Sequence, residues 1–439
     1  MIPSRANVRI FWISLLGLYL ELLFIRWIGT EIRIFAYLQN TILVVCFLGL
    51  GIGLFTSRRS ISARRGALAL LVLATVMVIP ESQQVLSRVS ALLSVLGEFN
   101  IWEGSTARAT PVVVAGLLVG LLITFGVMVL VLEPFIPIGR LLGRLLDEHP
   151  QPIVAYSVNV AGSLAGIWLF VGLSRLGQPP VLWFLVLVLL VLPFLVWRVS
   201  VDWGTLVMLS AVVPLVAAFQ WSRSALETAW SPYQKLELHS IHPDSAWRIP
   251  TVRYHIVVNN AGYQLLLDLS AFGRAGGRAE QPAEHAERLS AYDVPALVHP
   301  DPESVLVVGA GSGNDVAGVL RNGGSRITAV DIDPVILSFG EKYHPERPYD
   351  SDRVELVATD ARSFFARTDR RYDVISFGFL DSHTTTSLTN ARLDHYVYTQ
   401  ESFQHVRSLL NDGGIVTMTF YPVRDFIVDR LAVQLLNVF

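Results

Sequence analysis

The stretch VLVVGAGSGNDV, residues 305–316, decides the fold of the C-terminal half of the chain. Its first four residues are continuously apolar, which is typical of a strand buried on both faces of a parallel sheet. Gly309, Gly311 and Gly313 follow at once, and glycine allows a tight turn and a close backbone approach to a ligand. A helix is predicted from about residue 314. A strand, a glycine turn and a helix in this order predict a nucleotide-binding unit.

The segments after this stretch repeat the alternation of strand and helix. Strands are predicted in RITAVDID (326–333), RVELVAT (353–359), YDVISFGF (372–379) and GGIVTMTF (413–420). Helices are predicted from residue 334, around 361–367 and from about 400. Continuous Val/Ile strands that alternate with helices predict a doubly wound, Rossmann-like parallel sheet.

Two acidic residues strengthen the nucleotide interpretation. Asp331 ends the second strand, 22 residues after Gly309, where an acid accepts hydrogen bonds from ribose hydroxyls. Asp360 follows the third strand, where it can accept from an adenine amino group. The alternative is a fold that has lost its ligand. A second glycine-spaced run, GLGIG at 49–53, lies within an apolar segment, where glycines serve helix packing.

The composition divides the chain near residue 221. Hydrophobic residues make up 52% of the 439 residues and charged residues 16%, which predicts two unlike parts. We expect a polytopic membrane domain at 1–221, a small β-rich part with a linker at 222–300 and a Rossmann-like domain at 301–439. Spans are predicted at about 8–28, 38–57, 66–80, 111–133, 153–174, 180–197 and 204–220.

The side of the membrane on which the C-terminal part lies depends on the number of spans. The basic loop TSRRSISARRG (56–66) is predicted to be cytoplasmic. Seven spans would leave the C-terminal part outside, and an eighth crossing or re-entrant piece within 82–99 would return it. We expect a bacterial inner-membrane protein with a cytoplasmic C-terminal domain. Glu21 lies at depth, where it serves either transport or pairing with an arginine.

The small β-rich part contains a predicted hairpin. YHIVVNN (254–260) and YQLLLDL (263–269) are short β-type runs, and the turn is predicted around Asn260 and Gly262. Gly162 and Gly166, in the membrane part, have the spacing that lets two helices approach closely. A net charge of −2 gives no reason to expect nucleic-acid binding, and the single cysteine, Cys46, excludes disulfides. No spacing of His, Asp or Glu suggests a metal site.

Residues 230–420 resemble the spermidine synthases (polyamine aminopropyltransferases), specifically the membrane-embedded spermidine synthase-like proteins of bacteria. The resemblance rests on SPYQ (231–234), LLLD (265–268), Tyr292, GAGSG (309–313), VDID (330–333), TDA (359–361) and YDVI (372–375). It implies a class I S-adenosylmethionine-type fold, shared with methyltransferases. It also implies decarboxylated S-adenosylmethionine, or S-adenosylmethionine itself, as the cofactor.

The resemblance also implies which residues contact the ligands. Cofactor-binding residues would be Gly309, Gly311, Gly313, Asp315, Asp331, Asp333, Asp360 and Ala361. Substrate-binding residues would be Tyr233, Gln234, Tyr292, Ser382 and Tyr398.

The acceptor half departs from that family. Soluble members end their fourth strand with D-S-S/T-D-P, whose first acid is taken as the general base. Here Gly378 occupies that position, and Asp381 aligns with the second acid. The acid of the family's GGGDG motif is replaced by Ser312, with an acid displaced to Asp315. The family's Tyr-His-Glu motif is reduced here to Tyr292 and Asp293.

Asp381 and His383 are therefore the expected catalytic pair. An amine must lose a proton before it attacks, a carboxylate can accept that proton, and His383 titrates near neutrality. Tyr396 and Tyr398 are expected to close the pocket. Alternatively, Asp381 and Ser382 only cap the loop.

Three functions remain open. They are aminopropyl transfer to a polyamine-like amine, methyl transfer from S-adenosylmethionine, and a non-catalytic sensor or transporter regulated by a nucleoside. The expected partners are a small amine and the lipid bilayer, with homo-oligomerisation open. The sheet is expected to lack the two strands that such folds usually add after GGIVTMTF.

Overall fold

The computed structural model describes residues 5–32, 39–93, 111–221, 225–241, 252–270, 290–378, 380, 396–420 and 425–439. The chain divides into two compact units. We refer to the described residues of 5–221 as the helical unit and to those of 225–439 as the C-terminal unit.

The described residues of the helical unit are almost entirely helical. The helices are α1 (Arg5–Glu31), α2 (Gln39–Phe55), α3 (Arg64–Val78), α4 (Pro80–Leu93), α5 (Pro111–Leu132), α6 (Phe135–Asp147), α7 (Pro152–Arg175), α8 (Pro180–Val196) and α9 (Trp203–Trp221).

Each of the seven predicted spans coincides with one of these helices. Within the described ranges, four helical stretches are long and apolar enough to cross a membrane: 5–31, 114–147, 152–175 and 203–220. The helices α3 and α4 meet at an angle of 86°, and together they could form a fifth, broken span or a re-entrant loop. The helices α2 and α8 are apolar but shorter. The extra piece expected within 82–99 corresponds in part to α4, and residues 94–99 lie outside the described ranges.

Small residues bring the helices into close contact, as the sequence predicts. A Cβ atom on Gly162 or Gly166 of α7 would lie 2.3 or 2.4 Å from a backbone oxygen of α1. The glycines of GLGIG serve the same purpose, because a Cβ atom on Gly53 would lie 2.4 Å from the carbonyl oxygen of Ile136 in α6. Glu21 is 3% exposed, and its Oε2 has no hydrogen-bond partner among the described residues.

The C-terminal unit begins with a four-stranded antiparallel sheet. Its strands are β1 (Glu227–Trp230), β2 (Lys235–Ser240), β3 (Val252–Val258) and β4 (Ala261–Leu267), in that spatial order. The predicted hairpin is confirmed, but its turn lies one residue earlier than expected. Asn259 and Asn260 both have positive φ and connect Val258 to Ala261, which is the two-residue turn that asparagine favours. Gly262 belongs to β4.

The predicted doubly wound parallel sheet is confirmed. Its strands are β5 (Ser304–Val308), β6 (Arg326–Asp331), β7 (Val354–Ala358), β8 (Tyr372–Phe377) and β9 (Leu410–Met418), in the order β7-β6-β5-β8-β9. All neighbouring pairs are parallel. The helices are α10 (Val294–Val298), α11 (Asn314–Arg321), α12 (Pro334–Tyr343), α13 (Ala361–Arg367), α14 (Gln400–Ser408) and α15 (Asp425–Val438).

The parallel sheet has an apolar core on each face. On one face, Leu306 of β5 and Phe377 of β8 pack with Phe403 of α14. On the other, Val305 and Val307 of β5 pack with Val316 of α11. Because every residue of β5 is buried, this strand is the centre of the unit. The topology therefore places the glycine turn after β5 at the middle of the carboxyl edge.

Candidate functional site

A cleft of about 720 Å³ opens beside the carboxyl ends of β5, β6 and β7. In parallel sheets of this kind, ligands bind outside the carboxyl ends of the strands. The residues that line the cleft are Tyr233, Gln234, Tyr263, Gly309, Val330, Asp331, Ile332, Asp333, Ile336, Thr359, Asp360, Ala361, Leu380 and Val397. Seven of the predicted site residues are among them: Tyr233, Gln234, Gly309, Asp331, Asp333, Asp360 and Ala361.

Gly309 must be glycine for two reasons. Its φ is +72°, a conformation that side-chain-bearing residues rarely adopt. A Cβ atom there would also lie 1.8 Å from Cδ2 of Leu380. Gly309 therefore presents bare backbone on the wall of the cleft.

The rest of the glycine loop is fixed from outside the cleft. The amide of Ser312 donates to Oε1 of Gln264 in β4 at 3.1 Å. The hydroxyl of Tyr349 donates to the carbonyl oxygens of Ala310 and Gly311, at 3.2 and 2.9 Å. The small antiparallel sheet and the segment before β7 thus hold the loop in one conformation.

Asp331 connects the end of β6 to the glycine loop. Its Oδ2 accepts from the amide of Gly311 at 2.9 Å, and its Oδ1 accepts from the amide of Asp333 at 2.9 Å. Burial raises the pKa of Asp331 to about 6, although these amides oppose the rise. The carboxylate is therefore ionised at neutral pH and faces the cleft as a fixed acceptor.

Asp333 joins the two sheets. Its Oδ2 accepts from the hydroxyl of Ser231 at 2.7 Å and from the side-chain amide of Gln234 at 2.9 Å. Its Oδ1 accepts from the amide of Val335 and so caps α12. Burial raises the pKa of Asp333 despite these donors. The SPYQ segment is thereby held against the start of α12, where it forms one wall of the cleft.

Asp360 and Ala361 lie at the start of α13. Oδ1 of Asp360 accepts from the amide of Ser363 at 2.8 Å, which caps the helix. Asp360 is half-buried and lines the cleft beside Thr359.

The cleft is acidic. Asp331, Asp333 and Asp360 line it, and none of the described lining residues is basic. Three carboxylates in a partly desolvated site attract a cation and repel an anion. The site is thus suited to a positively charged ligand with an apolar flat part, which Ile332, Ile336 and Tyr263 can contact.

Other predicted residues lie outside the cleft. A Cβ atom on Gly311 or Gly313 would meet Gln264 or Pro348, and Tyr292 hydrogen-bonds Asn314. Tyr398, expected to close the acceptor pocket, is 8% exposed and packs against Phe377 and Phe420 in the core. Tyr396 is exposed. Asp315 lies beneath the end of β8. Asp381, Ser382 and His383 lie outside the described residues.

Sequence reasoning missed Gln264 and Tyr349, which support the glycine loop. Gln264 is a polar residue in the apolar run YQLLLDL, and that interruption was a usable signal. Tyr349 stands in no recognisable pattern. Among the described residues, no group of three or more His, Cys, Asp or Glu could hold a metal ion.

Comparison with known proteins finds a family match in the C-terminal unit. Residues 284–420 match the model of the spermine/spermidine synthase domain family. This matched part of the chain is spermidine synthase-like. The polyamine aminopropyltransferase of Korarchaeum cryptofilum is 28% identical over 163 residues, 34% of this chain and 47% of the relative. That of Sulfolobus acidocaldarius is 30% identical over 149 residues, 31% of this chain and 47% of the relative.

The match to these relatives covers only part of each protein. The chain spans about half the length of the curated relatives that it matches. A spermidine synthase solved with the transition-state analogue AdoDATO is 17% identical, with a TM-score of 0.37, and covers 49% of this chain and 65% of that one. The spermidine synthase of Thermotoga maritima is 16% identical, with a TM-score of 0.35, covering 49% and 64%. At these TM-scores neither structure bears on residue roles.

Proposed function

We propose that this spermidine synthase-like protein is a membrane-embedded transferase that moves an aminopropyl group from decarboxylated S-adenosylmethionine to a small amine. The observation that carries the proposal is the acidic cleft beside Gly309, with Asp331 fixed at the end of β6. The curated relatives, which are named polyamine aminopropyltransferases, support the same reaction class.

The residues of the cleft fit an adenosyl sulfonium. Both Asp331 and Asp360 line the cleft, where Asp331 would accept from ribose hydroxyls and Asp360 from the adenine amino group. Gly309 and Leu380 line the cleft together, and Leu380 fills the space that a side chain at 309 would occupy. Ile332 and Ile336 offer apolar contact to a flat base.

The charge of the cleft favours the decarboxylated form. S-adenosylmethionine carries a carboxylate on the chain attached to sulfur, and no basic residue among the described lining residues would neutralise it. Both forms carry an ammonium and a sulfonium, which Asp331, Asp333 and Asp360 attract, but the decarboxylated form lacks the carboxylate that these acids repel. This difference supports aminopropyl transfer over methyl transfer.

Membrane embedding rests on the helical unit. Four helical stretches among its described residues have sufficient length and apolarity to cross a bilayer. Its surface also carries large exposed apolar side chains, such as Phe125, Trp168 and Leu122, each at least 63% exposed. Lipid contact accounts for such exposure. We place the protein in the inner membrane, with a cytoplasmic C-terminal unit.

The proposal is tested by nucleoside binding to the full chain in nanodiscs, measured by isothermal titration calorimetry. Decarboxylated S-adenosylmethionine should bind about tenfold or more tightly than S-adenosylmethionine, because a carboxylate near three acids costs on the order of 1 kcal/mol or more. Asp331→Asn should weaken binding about 10- to 100-fold, since it removes charged hydrogen bonds. Asp412→Asn, at an exposed acid of β9, is the matched control. Tighter binding of the carboxylated form would instead indicate methyl transfer.

A further inference from the structure

Gly378 and Asp315 occupy complementary space. The amide of Gly378 donates to the carbonyl oxygen of Val308 at 3.1 Å, so Gly378 still lies in register beside the end of β5. A Cβ atom on Gly378 would lie 2.8 Å from Oδ2 of Asp315 and 3.1 Å from its Cγ. The carboxyl group of Asp315, from the first turn of α11, therefore fills the space into which a side chain at 378 would project.

This place is the topological switch point of the sheet. The strand order β7-β6-β5-β8-β9 means that successive connections run in one direction from β5 and in the other from β8. Ligands of open parallel sheets bind in the crevice between the two strands where that reversal occurs. Gly309 follows β5 and Gly378 follows β8, so Asp315 lies beneath this crevice.

The burial of Asp315 needs an explanation. Asp315 is only 5% exposed, and burial raises the pKa of its carboxyl group to about 7. An acid in the first turn of a helix is favourable through the helix dipole, but an exposed acid gives the same benefit without desolvation. A buried acid that is retained beside a ligand crevice, at a cost in stability, is typical of a functional group.

We propose that Asp315 accepts the proton that the acceptor amine loses during aminopropyl transfer. This inference rests on the proposed function and moves the proton-accepting role from Asp381 to the first turn of α11. The glycine at 378 is what permits the carboxylate to lie at the end of β8.

The step balances within the site. The nitrogen lone pair of the amine forms a bond to the propyl carbon attached to sulfur, and the carbon–sulfur bond breaks. Its electron pair goes to the sulfonium sulfur, which leaves as a neutral thioether nucleoside. The proton lost by the nitrogen passes to the carboxylate of Asp315, which returns it to solvent before the next turnover.

Among the described residues, two tyrosines lie close enough for the charge of Asp315 to raise their pKa values. Tyr292 lies on the segment before α10, and Tyr349 lies on the segment before β7. Burial raises the pKa of Tyr292 to about 12 and that of Tyr349 well above its ordinary value. Both phenols stay protonated at neutral pH. Burial also raises the pKa of Asp331 to about 6, and the Asp315→Asn variant separates the titration of Asp315 from that of Asp331.

The test measures turnover of the full chain in nanodiscs, with decarboxylated S-adenosylmethionine and 1,4-diaminobutane as the probes and release of the thioether nucleoside as the readout. Asp315→Asn should lower kcat about 100-fold or more, as loss of a general base does, while the nucleoside Kd stays within about threefold. The parent kcat should rise with pH through about 7 to a plateau, and the residual activity of Asp315→Asn should lack that rise. Asp381→Asn is compared in parallel, and Asp412→Asn is the control.

The outcomes test the role of Asp315 and the proposed function separately. If Asp315→Asn turns over within about threefold of the parent, or if nucleoside binding falls in step with kcat, the inference is overturned and the proposed function stands. If the parent releases no thioether nucleoside with the amine, the proposed function fails and the inference fails with it. Gly378→Ala is a second variant, which tests the assignment even if Asp315→Asn fails to fold. Its Cβ would collide with the carboxylate, and a kcat equal to that of the parent would contradict the assignment.

Discussion

Replacing Asp315 by Asn is expected to stabilise the C-terminal unit more at pH 8.5 than at pH 5.5. The reason is that burial raises the pKa of this acid from 3.8 to about 7. In the unfolded chain the same acid titrates near its ordinary value, so the folded state binds more protons between about pH 4 and pH 7. Its destabilising effect is absent below pH 4, grows as the pH rises and reaches its full size above pH 7.

The expected size follows from the two pKa values. One pKa unit corresponds to about 1.4 kcal/mol, so the full effect is about 4 kcal/mol at pH 8.5. At pH 5.5 it is about 2 kcal/mol, because the acid is then ionised only in the unfolded chain. The buried amide of the Asn variant has a cost of its own, which does not depend on pH. The unfolding free energy of the variant minus that of the parent should therefore be about 2 kcal/mol larger at pH 8.5 than at pH 5.5.

Hydrogen exchange followed by mass spectrometry measures this difference in the full chain. Peptides that cover β5 and α11, residues 304–321, report the opening free energy of this region. The ratio of protection, variant over parent, should be about 30-fold larger at pH 8.5 than at pH 5.5. The raised pKa of Asp331 contributes equally to both proteins and cancels. A ratio that is the same at both pH values would refute a buried acid at this position.

Three further substitutions test the supports of the site. Tyr349→Phe removes a donor to two carbonyls of the glycine loop, so nucleoside affinity measured by calorimetry should fall about three- to tenfold. Both Asn260→Val and Asn260→Gly remove the Oδ1 that accepts from Nζ of Lys235. Only Asn260→Val also places a β-branched residue at φ +62°, so it should cost about 1–2 kcal/mol more hairpin protection from hydrogen exchange than Asn260→Gly. Arg321→Met removes the guanidinium that pairs with the buried carboxylates of Asp293 and Glu346. It should destabilise the C-terminal unit by about 3–5 kcal/mol in the same exchange assay. Unchanged protection would contradict a stabilising role for these ion pairs.

Local pattern was sufficient for the sheet and for the acids that line the cleft. The apolar run at 304–308 and the acid that ends 326–331 have meanings that depend on a few neighbouring residues only. The hairpin turn was placed one residue late, since Gly262 is the commoner turn residue but Asn259 and Asn260 adopt the left-handed conformation.

The supports of the site could not be predicted, because they depend on contacts between distant segments. Gln264 reaches the glycine loop across 48 positions of sequence, and Tyr349 reaches it across 38. The contact between Asp315 and Gly378 is of the same kind. Sequence alone indicated that one acid was missing at 378 and another was present at 315. Only the fold shows that the second occupies the space of the first.

The most direct test of aminopropyl transfer at this cleft is the mass of the product. The full chain in nanodiscs is incubated with 1,4-diaminobutane and an equimolar mixture of decarboxylated and intact S-adenosylmethionine, and the amines are analysed by mass spectrometry. The acidic lining, which has no basic member among the described residues, predicts that the amine gains a three-carbon aminopropyl group and that Asp331→Asn loses this product. An amine that gains a single methyl carbon would contradict the account.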